Sequence, residues 1–292
     1  MTATRPATDR DHGADVGSLS GSEERTDRMK KMTANAGPEE NRETRPQSAP
    51  TALDLSLIRE RRIVIVGIGG IGSFLAPLLV LFLSSLRGVR VHVSLVDGDT
   101  YEERNRERMD VPELGNKAEV LSSRLSARHG RPRLYIRPVD RYVTEENVAE
   151  VIQEHDIVFS CVDNHATRKI LSERCAQLDD VILISGGNDG VEEGSSGTYG
   201  NVQIFQRRGG EELNPPLTRF HPEIENPADE VPGLSCEDLA STTVPQIVFT
   251  NFFAAAVMGA AFHRILGAST AREIYDEACF DIAEGRMLPH VM

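Results

Sequence analysis

The chain has 292 residues, of which 39% are apolar, enough for one large core and few for two. A formal charge of -13 and a pI near 5.1 repel a phosphodiester backbone, and no basic block reverses that sign locally, so stable nucleic-acid binding is excluded. The four cysteines, Cys161, Cys175, Cys236 and Cys279, stand far apart without a CxxC pair. Neither a disulfide scaffold nor a four-thiolate zinc site is expected, and a reducing cytoplasm fits best.

Residues 1–52 are rich in Thr, Ser, Gly, Pro, Glu and Arg, with almost no large apolar side chain. Burial there cannot offset the entropy of ordering, so a disordered tail is expected ahead of a folded domain over 53–292. The tail has no apolar signal core, and the longest apolar run, residues 74–83, is too short to cross a bilayer, so no membrane partner is expected. Residues 62–67 (RIVIVG) are an apolar β-branched run ending in glycine, and the apolar stretch 71–86 has helical length. A second strand over 91–96 (VHVSLV) closes on Asp97-Gly98-Asp99. Then come a helical pattern over 117–127, a strand over 134–139, and a helix capped by Thr144 with Glu145 and Glu146 in its first turn. Residues 156–162 (DIVFSCV) read as a buried strand, 166–178 as a helix and 181–185 (VILIS) as a further strand. Strands alternating with helices imply an α/β, Rossmann-like, doubly wound and mainly parallel sheet.

The rhythm then changes. Residues 197–207 (GTYGNVQIFQR) alternate like an exposed-edge or antiparallel strand, and 209–235, rich in prolines and acids, read as a long surface loop. A long apolar helix is expected over 245–266 and a last strand over 273–282, so antiparallel strands are added at the C-terminal end.

The turn Gly67-Ile68-Gly69-Gly70-Ile71-Gly72 is a GxGxxG between a strand and a helix. Glycines there let backbone N–H groups approach phosphates at the positive end of the helix. The turn indicates a nucleotide without saying which: a nicotinamide-dependent oxidoreductase would carry it too, with Asp97 on a ribose hydroxyl in either case. The charge after the second strand bears on the choice. ATP brings three phosphates that need cations, for which Arg108 and Lys117 are candidates. Asp163, at the carboxyl end of the fourth strand, is the candidate ligand for a bridging magnesium.

Five motifs in order, GIGGIGS at 67–73, DGDT at 97–100, Asn105 with Arg108, GNKAEV at 115–120, and Asp163-Asn164 with Arg168, make the chain resemble the ThiF/MoeB and ubiquitin-activating-enzyme superfamily. The resemblance covers roughly residues 55–292. It implies Mg-ATP-dependent adenylation of a carboxylate, with Asp97 on the ribose, Asn105, Arg108 and Lys117 on the phosphates, and Asp163 on the magnesium; Asp99 belongs to the same acidic motif. The implied partner is the terminal carboxylate of a small ubiquitin-like or sulfur-carrier protein, and the implied assembly a homodimer. The segments SCEDLASTTVPQIVFTNFFAA and YDEACFDIAEGRMLP further look like the ThiF-family proteins of the bacterial PRTRC gene cluster, in which a Cys precedes a helix carrying Gln and Asn, here Cys236, Gln246 and Asn251.

The departures are specific. The arginine that the family places before its glycine loop has no clear counterpart among Arg42, Arg45, Arg59 and Arg61, and the paired zinc-binding CxxC motifs are missing, so no zinc is expected. Arg104 and Arg106 read as an ordinary surface charge run. Cys236 is either a thioester-forming nucleophile or a small residue at a helix entrance, and Cys161, Cys175 and Cys279 read as core. Two other functions stand beside adenylation. A nicotinamide-dependent oxidoreductase would need a hydride-transfer acid or base that no His or Tyr-Lys arrangement supplies. A catalytically silent scaffold would have no need to keep Arg108, Lys117 and Asp163.

Overall fold

The computed structural model describes residues 52–59, 61–103, 105, 113–192, 195–229, 247–268 and 274–291. The expected disordered tail therefore lies, Ala52 apart, outside the described residues. After a short helix α1 (Ser56–Arg59), the parallel half runs β1 (Arg62–Val66), α2 (Gly72–Ser85), β2 (Val91–Val96), α3 (Lys117–His129), β5 (Leu134–Val139), α4 (Val148–Val151), β6 (Ile157–Ser160), α5 (His165–Ala176) and β7 (Val181–Asn188). A two-stranded ribbon of β3 (Thr100–Tyr101) and β4 (Gly115–Asn116) precedes α3. The rest adds a hairpin of β8 (Val191–Glu192) and β9 (Ser195–Ser196), then β10 (Tyr199–Arg208), β11 (Glu211–Glu212), α6 (Val248–Gly267), β12 (Glu277–Asp281) and β13 (Arg286–His290).

The main sheet is ordered β13-β12-β10-β7-β6-β1-β2-β5, with β11 paired to β10. Strands β5, β2, β1, β6 and β7 are parallel, and β10, β12 and β13 continue antiparallel from β7. The chain starts in the middle and grows outward in both directions, so the strand order reverses at β1 and the carboxyl ends of β1, β2 and β6 open one crevice.

Alternation along each strand builds a core on both faces. Ile63, Ile65, Val93, Leu95, Phe159, Ile182 and Ile184 pack under α2, α3 and α6, whereas Val64, Val66, Val158, Val181 and Leu183 pack under α4 and α5. Phe262 of α6 is fully buried between the rings of Phe82 and Phe159, at 6.1 and 5.6 Å, and ties both apolar helices to the sheet. Over 20 residues α6 is long and apolar enough to cross a membrane, but half of its most apolar window is buried against α2, β7 and β10.

Four expectations need correction. Strand β10 is antiparallel but central, and its polar alternation does not mark an exposed edge: Asn201, Gln203 and Gln206 are buried. The reason lies in residues 209–229, which fold over this face instead of forming a surface loop. Their Leu217, Phe220 and Ile224 enter the core in two 3-10 turns. Gln203 Nε2 donates to Leu217 O at 3.1 Å and Gln206 Nε2 to Asn214 Oδ1 at 2.7 Å. His221 lies between Glu223 and Glu277, each at 2.7 Å; burial works against its charge, but these hydrogen bonds win and raise its pKa. The expected last strand is followed by another, β13. Thr144 does not cap a helix: Asn147 Oδ1 accepts its N–H at 3.0 Å, and α4 begins only at Val148.

Phe262→Ala is expected to lower unfolding free energy by about 3–5 kcal/mol, because a ring is lost and the cavity cannot collapse between two others. Chemical denaturation checks this, and a loss below about 1 kcal/mol would mean that α6 is not an integral cover of the sheet.

Candidate active site

The glycine turn is built by close approach. Gly67 has φ +87°, and a Cβ there would lie 2.9 Å from the carbonyl carbon and oxygen of Cys161. A Cβ on Gly72 would fall 1.9 Å from Gly67 O. These two glycines are required by the fold. Gly69 is different: a Cβ there meets nothing within 4 Å, and Gly69 and Gly70 are partly exposed. Among the described residues no acceptor is bonded to the N–H of either, just ahead of α2.

Asp97 fastens this turn to the sheet. It is buried at the end of β2, where Oδ2 accepts from the Ile68 N–H at 2.5 Å and Oδ1 from the Asp99 N–H at 2.8 Å. Burial pushes its pKa up to about 6; Lys117 and the two N–H bonds oppose that shift, while the Asp99 charge adds to it. Lys117 is the first residue of α3, where the helix dipole disfavours a cation, and Asp99 compensates: Nζ lies 2.6 Å from Asp99 Oδ2, with the lysine side chain 11% exposed. The structure thus brings Gly67–Gly72, Asp97, Asp99 and Lys117 together. Asn105 is buried after β3, and its Oδ1 is already engaged by the Glu102 N–H at 2.8 Å.

Asp163 lies on the same edge, past the end of β6, because Cys161 N donates to Val66 O at 2.8 Å and Gly67 N to Val96 O at 2.9 Å. It is exposed and accepts no hydrogen bond from the described residues. One open carboxylate is what magnesium asks of a protein when phosphates supply further ligands. Asp163 does not cap α5. Asn164 Oδ1 does so, accepting from the Thr167 N–H at 2.7 Å, and the carboxylate of Asp229 takes the N–H groups of His165 and Ala166 at 2.7 and 2.8 Å. Arg168, buried on α5, donates to Val162 O at 2.8 Å and Gly186 O at 3.0 Å, and so fixes the β6–α5 turn from below.

Arg108 and Cys236, with Arg104, Arg106 and Gln246, lie outside the described residues. Asn251 is buried in α6. Arg61 pairs with Asp180 at 2.7 Å and Arg59 is exposed, while Arg42 and Arg45 are outside the described residues. Cys161, Cys175 and Cys279 are buried free thiols, and burial raises the pKa of the first two far above the thiol range. Among the described residues no cluster of three or more His, Cys, Asp or Glu side chains could hold a metal. Sequence reasoning passed over Asn116, which has a local signal: Asn-Lys-Ala-Glu is a cap followed three residues later by Glu. Its Oδ1 accepts from the Glu119 N–H at 3.0 Å, and its Nδ2 reaches Asp97 O, Asp99 O and Asp140 Oδ1. Tyr142 and Asp229 reach the site from distant sequence and leave no such signal.

A reversal of strand order, a glycine turn between strand and helix, a buried acid at the next strand and a lysine held beside it define the doubly wound nucleotide-binding class. Within that class the chain belongs to the ThiF family, whose model matches residues 42–275. It is 29% identical over 165 residues to "Molybdopterin-synthase adenylyltransferase" of Escherichia coli (strain K12), covering 56% of this chain and 61% of that protein. It is 34% identical over 123 residues to "Adenylyltransferase and sulfurtransferase uba4" of Aspergillus clavatus, covering 41% and 24%. The chain thus spans less than two thirds of the length of either relative. The crystal structure of E. coli MccB with ATP shares the fold at a TM-score of 0.55 and 16% identity, over 80% of this chain and 65% of that one. The structure of PaaA does so at 0.54 and 12%, over 96% and 76%.

The folded protein holds the Asp97 proton up to about pH 6, whereas the unfolded chain releases it near 3.8. Asp97 therefore costs stability as pH rises through that window, by about 3 kcal/mol once complete. Between pH 4 and pH 6 the wild type is expected to lose stability relative to Asp97→Asn by an amount of that order. Parallel pH profiles from urea unfolding would contradict the raised pKa.

Proposed function

We propose that this chain adenylates a carboxylate with Mg-ATP, and that the carboxylate is the terminus of a small ubiquitin-like or sulfur-carrier protein. The observation that carries this reading is the lysine ammonium of Lys117, fixed by Asp99 beside the carboxylate that anchors the glycine turn. A dinucleotide's pyrophosphate has little use for such a cation, whereas the leaving pyrophosphate of ATP needs one. Membership of the ThiF family and the adenylyltransferase names of the relatives support the same reading.

The substrate carboxylate oxygen attacks the α-phosphorus, a new O–P bond forms as the bond from the α-phosphorus to the bridging oxygen breaks, and pyrophosphate leaves with the electron pair. In this reading Gly69 and Gly70 give their amides to phosphate oxygens, Asp97 accepts from a ribose hydroxyl, and Asn105, Arg108 and Lys117 face the phosphates. Asp163 would hold the magnesium, whose charge offsets that developing on the leaving group. No side chain needs to move a proton, since the nucleophile is already ionised; the work is positioning and charge neutralisation. Cys236 is the position at which an acyl group would pass to a thiol. The domain that does this is residues 53–292, acting in the cytoplasm.

The same proposal includes a homodimer through α2 and α6. Leu78, Leu81, Phe249 and Phe252 are exposed there, and residues 72–85 and 248–262 contain no charged side chain, although the whole chain is 26% charged. Sedimentation velocity tests this: a dimer is expected at tens of micromolar, and a monomer would remove the proposal.

Calorimetric titration with Mg-ATP and, separately, with NAD tests the activity without needing the partner. Mg-ATP is expected to bind and Lys117→Ala to abolish detectable binding; NAD binding without ATP binding would overturn the reading. Asp163→Ala is expected to stop ATP turnover and keep the fold. Gly69→Ala, whose Cβ meets open space, is expected to keep the melting temperature within about 2 °C while weakening ATP about tenfold. Equal ATP affinity would mean that the amides do not meet phosphate.

A further inference from the structure

Asp99 is half-exposed, and a half-exposed aspartate samples several rotamers unless both oxygens are held. One oxygen, Oδ2, faces Lys117 Nζ at 2.6 Å. The other, Oδ1, accepts the hydroxyl proton of Tyr142, which comes from the turn between β5 and α4. Tyr142 is itself locked. Its ring lies against the backbone of residue 98, where a Cβ would fall 2.6 Å from Cδ2, so Gly98 is the residue that admits it. Its carbonyl accepts from Asn147 Nδ2 at 2.8 Å, and Asn147 Oδ1 in turn accepts the Thr144 N–H at 3.0 Å. A continuous line of contacts runs from the start of α4 through Tyr142 and Asp99 to the ammonium of Lys117.

We infer that Tyr142 is a positioning residue that sets the direction of the Lys117 ammonium by fixing Asp99. The inference rests on the adenylation reading for its consequence, the strength of phosphate binding, but its geometry is independent of that reading. Three observations separate the hydroxyl from a general structural role. The backbone of residues 97–99 is held by Asn116, whose Nδ2 donates to Asp97 O at 2.8 Å and Asp99 O at 3.1 Å, so loss of the Tyr142 hydroxyl leaves that frame in place. Asp97 is held by the Ile68 and Asp99 amides and takes nothing from Tyr142, so the ribose side of the site is insulated. The Lys117 N–H donates to Asp99 O at 2.8 Å, so the start of α3 is fixed through the main chain as well. What the hydroxyl controls is the carboxylate rotamer, and through it the ammonium.

The test is Tyr142→Phe, which keeps the ring over Gly98 and removes only the donor. Calorimetry with Mg-ATP and with adenosine is compared in wild type, Tyr142→Phe, Lys117→Ala and the double variant. Tyr142→Phe is expected to weaken Mg-ATP about five- to tenfold, the order of one ordinary hydrogen bond because the hydroxyl acts at one remove from the phosphates, and to leave adenosine unchanged. The double variant is expected to bind Mg-ATP no worse than Lys117→Ala alone, because the hydroxyl acts only through the lysine. Equal weakening of adenosine, an additive loss in the double variant, or no loss at all would overturn the assignment. A second measurement needs no nucleotide: the NMR signal of the Lys117 ammonium, slowed in exchange while Asp99 holds it, is expected to vanish in Tyr142→Phe, and its persistence would overturn the assignment too. If the wild type binds no Mg-ATP, the adenylation reading fails, and the ammonium signal still decides the role of Tyr142.

Discussion

The site depends on a carboxylate placed where it is costly to keep. Asp97 sits buried at the end of β2 and bonds the amide of Ile68, so the first turn of the chain's central crossover is tied to the neighbouring strand. Charge is disfavoured there by burial, and two N–H donors and a nearby ammonium offset only part of that cost. That balance explains why the adjoining residues are constrained. Lys117 must come close enough to help, Asp99 must hold it, and Asn116 must secure the carbonyls of both acids. A strand end with fewer supports would either protonate Asp97 permanently or let the glycine turn drift.

Much of this was legible from sequence because it is local. The strand, glycine turn and helix over 62–86 are announced by a β-branched run, the glycines and an apolar stretch, and the structure places them within a residue or two. Alternation of short strands and helices gave the parallel half and its two-sided core. What escaped was long-range. The polar residues of β10 read as solvent-facing because nothing nearby in sequence says that residues 209–229 fold over them. Likewise Asp229 reaches the first turn of α5 from 63 and 64 residues away, a contact that no window of sequence contains.

The two classes of glycine show how one motif divides its labour. Gly67 and Gly72 answer to steric demands inside the turn, where any side chain would strike backbone. Gly69 answers to nothing inside the protein, since its missing side chain opens space on the outer side. A pattern match counts the three alike, and only geometry tells which are required by the packing of the turn and which is not.

The cover that α6 provides has a consequence for how the chain comes into being. The face of the sheet that carries Ile63, Ile65, Phe159, Ile182 and Ile184 is covered by α2, α3 and α6, and the last of these begins only at Val248, so on the ribosome every strand of the parallel half is made before its cover is complete. During that interval the part of this face that α6 covers, over β7 and β10, and the side of α2 that packs on α6 have no native partner in the nascent chain. Final consolidation is thus a late, C-terminal event, and any truncation before α6 would release a half-built layer with its greasiest surface outward.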